Sequence, residues 1–332
     1  MTNPTQHQNW ILGIRGRVAG AALALAIVLV PAILATGSAQ AQTYTFSVLH
    51  TFTGSPDGAV PDGGLVRDAQ GNLYGTTVLG GAYNYGTVFK LDTTGKETVL
   101  YSFTGTGGDG ANPYAGLVRD AQGNLYGTTN DGGASGGAPF GWGTVFKVDT
   151  AGTETVLYSF TGPPDGAVTY AGLVRDAQGN LYGTTWSGGA YDAGTAFKVD
   201  TAGTETVLHS FSGTGGDGSE PFAGLVRDAQ GNLYGTTVLG GDTACNPPNG
   251  CGTVFKVDTS GSETVLYAFT GADGAGPEAG LVRDAQGNLY GATSGAELTT
   301  EERCSSWIRP SRRPCSTASP GLGETAYGPG QV

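Results

Sequence analysis

Residues 63–103 read GGLVRDAQGNLYGTTVLGGAYNYGTVFKLDTTGKETVLYSF, and close copies of this stretch fill most of the chain. Within it LVRD and NLYGTT flank the Ala69-Gln70-Gly71-Asn72 turn, while TVFKLD and ETVLYSF flank Thr93-Thr94-Gly95-Lys96. Short runs of β-branched and aromatic residues bounded by Gly, Asn and Asp are hairpin strands, so the stretch encodes two hairpins and four strands. In the last strand Val99, Tyr101 and Phe103 alternate with Thr98, Leu100 and Ser102, a pattern that carries apolar groups on both faces. A sheet packed on both sides is what a propeller blade requires.

The Gly-Leu-Val-Arg core opens at Gly64, Gly116, Gly172, Gly224 and Gly280, spaced 52, 56, 52 and 56 residues apart. A second unit of the type Gly-Thr-Val-Phe-Lys opens at Gly86, Gly143, Gly194 and Gly252. Fixed periods of this size belong to ring-like or stacked repeat architectures. A β-helix or solenoid is the main rival, but its rungs run to about 20–30 residues, against four strands in each period here. The expected fold is therefore all-β, a β-propeller of four-stranded blades with about five blades present and the fifth incomplete. Tyr44 to Phe52 aligns with a fourth strand, placing Val48, His50 and Phe52 where Val99, Tyr101 and Phe103 stand. A lone fourth strand at the start of the repeats is suited to closing a ring.

The blocks Gly-Leu-Val-Arg-Asp-Ala-Gln-Gly-Asn-Leu-Tyr-Gly-Thr-Thr, Gly-Thr-Val-Phe-Lys and the Asp-Gly-Ala-x-Pro connector recur in order. Over residues 44–296 they resemble the GloVer tandem repeat of bacterial choice-of-anchor proteins. The resemblance implies an exported or surface-attached protein without an established activity. No sorting anchor of the kind such proteins carry is visible in this sequence.

Arg15 and Arg17 precede an apolar run from Val18 to Ala35, and Ala39-Gln40-Ala41 offers a cleavage site. Residues 1–41 are thus expected to be a signal peptide, with the tandem-repeat propeller over 42–296 and a secreted or cell-surface location. Pro31 interrupts the apolar run, which argues against a membrane anchor, and no other run is long enough to span a bilayer. Removing two arginines and no acids takes the formal charge from −12 to −14. Such a surface excludes nucleic acid and anionic membrane as partners. The 60 glycines and 16 prolines recur at fixed turn positions, which is turn chemistry rather than low complexity.

From Leu298 to Val332 the pattern vanishes and Cys304, Trp307 and Cys315 enter with a run of arginines. Reading this tail one frame over allows Ala-Asn-Tyr-Gly-Gly-Thr-Val-Phe-Lys-Leu-Asp from Glu297 to Ile308. It also allows Glu-Thr-Val-Leu-Tyr-Ser-Phe-Thr-Gly from Arg313 to Gly321. Those are the next third and fourth strands in order, so residues 297–332 are expected to be a frameshifted, unpacked tail.

No catalytic signature is present. His50 and His209 occupy positions filled by tyrosine in sister repeats, and no clustered zinc-ligand spacing occurs. The connector aspartates Asp57, Asp109, Asp165, Asp217 and Asp273 admit a Ca²⁺ reading, but Asp-Gly is also a common turn signal. No cofactor other than that possible Ca²⁺ is expected. Arg67, Arg119, Arg175, Arg227 and Arg283 each adjoin an Asp, and the expectation is a pair within the repeat or a solvated edge. Cys245 and Cys251 bracket Asn-Pro-Pro-Asn-Gly and read as a loop-closing disulfide in an oxidising compartment.

Differences between repeats gather in the loops after the second strand and in the connectors. Tyr83, Tyr85, Phe140, Trp142, Trp186 and Tyr191 are the candidate ligand-binding residues, with Tyr114, Tyr170 and Phe222 added by connectors. Aromatics beside Asp and Asn suit stacking on sugars or gripping a protein, and equally suit capping blade ends. The expected function is a non-catalytic, monomeric binding or scaffold protein of the cell exterior, with carbohydrate or protein as partner. The alternatives are a carbohydrate-active propeller enzyme drawing on Asp131, Asp192 and Glu220, or a frameshifted fragment without function.

Overall fold

The computed structural model describes residues 46–134 and 141–295. The segment expected to be a signal peptide, Phe140 and the tail after Gly295 lie outside them. The described residues of the unit from Val48 onward contain no helix. Their first sheet is built from Val66–Arg67, Leu73–Thr77, Thr87–Leu91 and Glu97–Ser102, antiparallel and in chain order. Three further sheets repeat this order, and the two-stranded pair Val282–Arg283 with Leu289–Tyr290 begins a fifth. Four-stranded antiparallel sheets in series, with the glycines just before their first strands lining one shared pocket, make this a β-propeller arrangement.

Register explains the glycine inside each second strand. Gly75 pairs with Phe89 across the ladder, and a Cβ on Gly75 would lie 2.6 Å from Leu65 and 2.8 Å from Phe89. The missing side chain makes room for the ring. The same trio recurs as Gly127, Leu117 and Phe146.

The fourth strand departs from simple alternation. Val99 pairs with Phe89 but Tyr101 pairs with Val88, a register shift that is a β-bulge at Leu100. Directly paired residues share a face, so Val99 and Tyr101 are turned to opposite faces, and the sequence pattern was misleading here. The bulge lets consecutive Leu100 and Tyr101 both join the cluster between the first and second sheets, with Val88, Phe103, Leu117, Leu125 and Phe146.

Each fourth strand is followed at once by a phenylalanine that enters the next sheet. Phe103 meets Phe146 edge-on at 5.0 Å, Phe160 meets Phe197 at 5.1 Å and Phe211 meets Phe255 at 4.9 Å. Burying such a ring is worth about 2–3 kcal/mol. Phe52 meets Phe89 in the same way at 4.9 Å, so the segment before the first sheet does occupy a fourth-strand position, although residues 46–57 are assigned to no strand. The two ends of the series leave apolar side chains uncovered. Leu65 is 52% exposed where Leu117 is 8%, and Val282 is 67% exposed.

Arginine ties the sheets together by a contact the sequence reading missed. Arg119 lies over the Tyr74 ring of the preceding sheet at 5.7 Å, and Arg175, Arg227 and Arg283 lie over Tyr126, Tyr182 and Tyr234 at 5.5–5.7 Å. These are cation–π staples between neighbours. The adjacent aspartate is engaged elsewhere: Asp68 accepts the Asn72 amide N–H and side-chain N–H and the Tyr74 hydroxyl. Burial opposes ionisation of Asp68, but those hydrogen bonds outweigh it and hold the carboxyl at about 2.

Candidate functional site

The connectors and the loops after the second strands meet at one end of the sheets. Gly58–Ala59 pairs with Leu79–Gly80, and equivalent two-residue ladders recur in the next three repeats. The next connector residue adopts a left-handed backbone whatever its identity: Val60 at φ 59°, Asn112 at 56°, Val168 at 60°, Glu220 at 58° and Gly276 at 58°. β-Branched residues rarely adopt that conformation, so the surrounding hydrogen bonds must hold it. The Val168 amide donates to the Trp142 carbonyl of the preceding repeat, while the Trp186 amide of its own repeat donates to the Val168 carbonyl. Asn112 and Glu220 make the same pair of links. This residue therefore bridges successive repeats and aims the side chain two positions later at the centre.

Those side chains are Asp62, Tyr114, Tyr170, Phe222 and Glu278, and all five line one open pocket of about 320 Å³. Its floor is glycine. A Cβ on Gly116 would lie 2.6 Å from the Gly64 carbonyl oxygen, so the connectors can approach this closely only without a side chain. Tyr114 and Tyr170 pack edge to face at 5.2 Å, and Tyr170 stacks on Phe222 at 4.7 Å with 22° between planes. Trp186 stands edge-on to Tyr170 at 6.3 Å. The Trp186 side chain also hydrogen bonds to the Glu220 carboxyl, which burial pushes upward against that bond. Asp131 is likewise raised by burial, and its charge is felt at Tyr114.

The remaining candidates divide into two groups. Tyr83 and Tyr191 are exposed on their loops, 58% and 66%. Tyr85 and Trp142 instead pack into the clusters between sheets. They lie against Gly105 and Gly162, where a Cβ would meet Tyr85 at 3.2 Å and Trp142 at 2.9 Å. In the fourth repeat that place over Gly271 belongs to the sulfurs of Cys245 and Cys251. These two cysteines are joined, with Cα atoms 5.7 Å apart. Asp192 caps its own loop by accepting the Gly188 amide at 2.9 Å.

The connector aspartates are turn caps. Asp109 accepts from the Gly110 and Thr104 amides and from the Thr104 and Tyr101 hydroxyls. Beside Asp57, Asp109, Asp165 and Asp217 is the glutamate that opens the next fourth strand, Glu97, Glu154, Glu205 and Glu263. Burial, with the charge of Asp109 or Asp165 adding to it, raises Glu154 and Glu205 to about 7. Where histidine replaces tyrosine, His50 Nε2 lies 3.2 Å from Asp57 and His209 Nε2 lies 3.5 Å from Asp217. His209, Asp217 and Glu263 bring ligand-type atoms within 4.8 Å of one another, a grouping that sequence spacing did not reveal. The recurrent Glu of the fourth strand was its only signal.

The model of the Gloeobacter/Verrucomicrobia repeat matches residues 38–246 and 134–301. The chain belongs to this repeat family. No curated protein matches. Among solved structures, a protein assigned as a gluconolactonase is 16% identical, with 70% of this chain and 71% of that one covered and a TM-score of 0.43. A luciferin-regenerating enzyme is 14% identical over 73% and 87% of the two chains at 0.40, and the tricorn protease 13% over 66% and 20% at 0.38. At these values none bears on the chemistry of the site, and the architecture rests on the sheet order of the repeat family member itself.

Proposed function

We propose that this repeat protein is a non-catalytic binding protein of the cell exterior, which uses near-identical blades as a frame and engages a carbohydrate or protein ligand on its connector face. The observation that supports this reading most is the convergence of the five variable connector positions on one pocket. The four-stranded sheets themselves repeat almost unchanged while the connectors and the loops after the second strands vary, as expected when a rigid scaffold carries function in its loops. Export rests on the Arg-flanked apolar segment and the Ala39-Gln40-Ala41 site. The test is binding of the secreted protein to glycan and extracellular-protein panels, repeated with Trp186→Ala and Tyr191→Ala. Binding lost in these variants with the fold intact supports the face. Binding unchanged in both, but abolished by substitutions in the Asp68 to Asn72 turn, refutes it.

A second reading has one observation in its favour. Asp131 and Glu220, on the same face, are both held above the usual carboxylate range by burial, as an acid catalyst in a carbohydrate-active enzyme would be. Turnover of a bound glycan that is abolished by Glu220→Gln or Asp131→Asn favours this reading.

A further inference from the structure

The central pocket has a chemical character that narrows its ligand, and the inference rests on the connector face being the binding face. Around the axis the five positions run Asp62, Tyr114, Tyr170, Phe222, Glu278, so three aromatic rings are flanked on both sides by a carboxylate. Among its described lining residues there is no Lys, Arg or His. The floor adds backbone oxygens, since the carbonyls of Gly64, Gly116, Gly172 and Gly224 each lie within 3.8 Å of where a Cβ on the next axial glycine would stand. Rings with negative faces, carboxylates and carbonyls are all partners for positive charge. Phe222 stacks on Tyr170 through one face, and it lines the pocket together with exposed Glu278. A volume of about 320 Å³ admits a small organic group rather than a folded element.

We infer that the axial pocket formed by Asp62, Tyr114, Tyr170, Phe222 and Glu278 binds an organic cation, an ammonium or alkylated ammonium group carried by the ligand. Anionic groups are disfavoured by the same surface, which belongs to a chain of formal charge −12. A neutral sugar can stack on Phe222, but it leaves the flanking carboxylates uncompensated. Such a cation has three ordinary sources outside a cell: a quaternary ammonium headgroup, an amino sugar and a lysine side chain. The pocket recognises what they share.

The experiment is titration calorimetry of the full chain with three matched pairs. Choline is compared with 3,3-dimethylbutan-1-ol, glucosamine with glucose, and Nα-acetyl-lysine methylamide with its norleucine counterpart. The expected result is that at least one cation binds about tenfold more tightly than its neutral partner. Phe222→Ala and Glu278→Gln should each weaken that binding by about three- to tenfold, with Tyr170→Phe close to wild type. The pair with the largest ratio identifies the source. Glu278 and Asp62 are exposed, so Glu278→Gln and Asp62→Asn keep the fold even where Phe222→Ala disturbs it. Neutral partners binding as tightly as cations overturn the inference, and leave the connector face standing if their binding is lost in Phe222→Ala. Glycan or protein binding that depends on Trp186 or Tyr191, with no ammonium binding, overturns the inference alone. An absence of binding in every assay overturns both it and the functional reading.

Discussion

Replacing Glu154 with glutamine should stabilise this protein at pH 8 and leave it unchanged at pH 4.5. Glu154 is half-buried, and its Oε1 atom is enclosed with no hydrogen-bond partner among the described residues. Burial first, and the nearby Asp109 charge second, raise its carboxyl from 4.5 to about 7. The folded value lies above the unfolded one, so between these limits the folded chain holds more protons. Stability therefore falls as pH rises through the window, and the penalty is complete above about 7. Such a displacement corresponds to at most about 3.4 kcal/mol, and screening at a half-exposed group cuts this to about 1–2 kcal/mol. Glutamine cannot ionise, so E154Q should recover that amount at pH 8, a rise in melting temperature of about 3–6 °C. Urea unfolding of wild type and E154Q at pH 4.5 and 8 measures it. A variant less stable than wild type at pH 8, or shifted equally at both values, would refute the reasoning. Glu205 is raised to about 7 for the same reasons, and E205Q should behave alike.

Arg175→Ala removes the staple over Tyr126 and should cost about 1 kcal/mol in urea unfolding, whereas alanine at exposed Arg67, which opens the series, should cost less. Trp142→Ala should destabilise by about 2–3 kcal/mol, because the ring packs between sheets, and should leave ligand affinity of the folded fraction unchanged. Cys251→Ser opens the seven-residue ring closed across a sequence separation of 6 and should cost about 2 kcal/mol; free thiols at both positions in protein purified without reductant would end the disulfide reading. The coding sequence near Gly295 to Leu298 should return to the repeat frame after a one-base gain or a two-base loss, and codons that cannot spell Thr-Val-Phe-Lys in the other frame would refute that claim.

Sheet number and strand order were legible because each strand is a short apolar run closed by turn residues whose offsets recur. Fourth-strand facing was not. The bulge at Leu100 arises from pairing with Val88 and Phe89 across the sheet, and a single strand's alternation contains no trace of its partner. The arginine contacts were misread for a related reason. Arg119 adjoins Asp120 in sequence, yet Asp120 is taken by Asn124 and Tyr126, leaving the guanidinium to the neighbouring repeat. Of the candidate aromatics, sequence could show that Tyr85, Trp142 and Trp186 vary between copies. It could not show that the first two fill gaps over glycine while Trp186 reaches the central rings.

A repeat protein faces a particular difficulty in making one site, since a substitution useful in one copy is matched by unchanged residues in all the others. This chain resolves it by geometry. The connector residue with φ near 60° holds every copy in the same backbone path, so identical scaffolding delivers five side chains of four kinds to one axis. Tolerance of Val, Asn, Glu and Gly at that residue shows that its backbone links, not its side chain, fix the path. The side chain two positions later is then free to be Asp, Tyr, Phe or Glu without altering the frame, and the pocket's character is set by the order in which those residues come round.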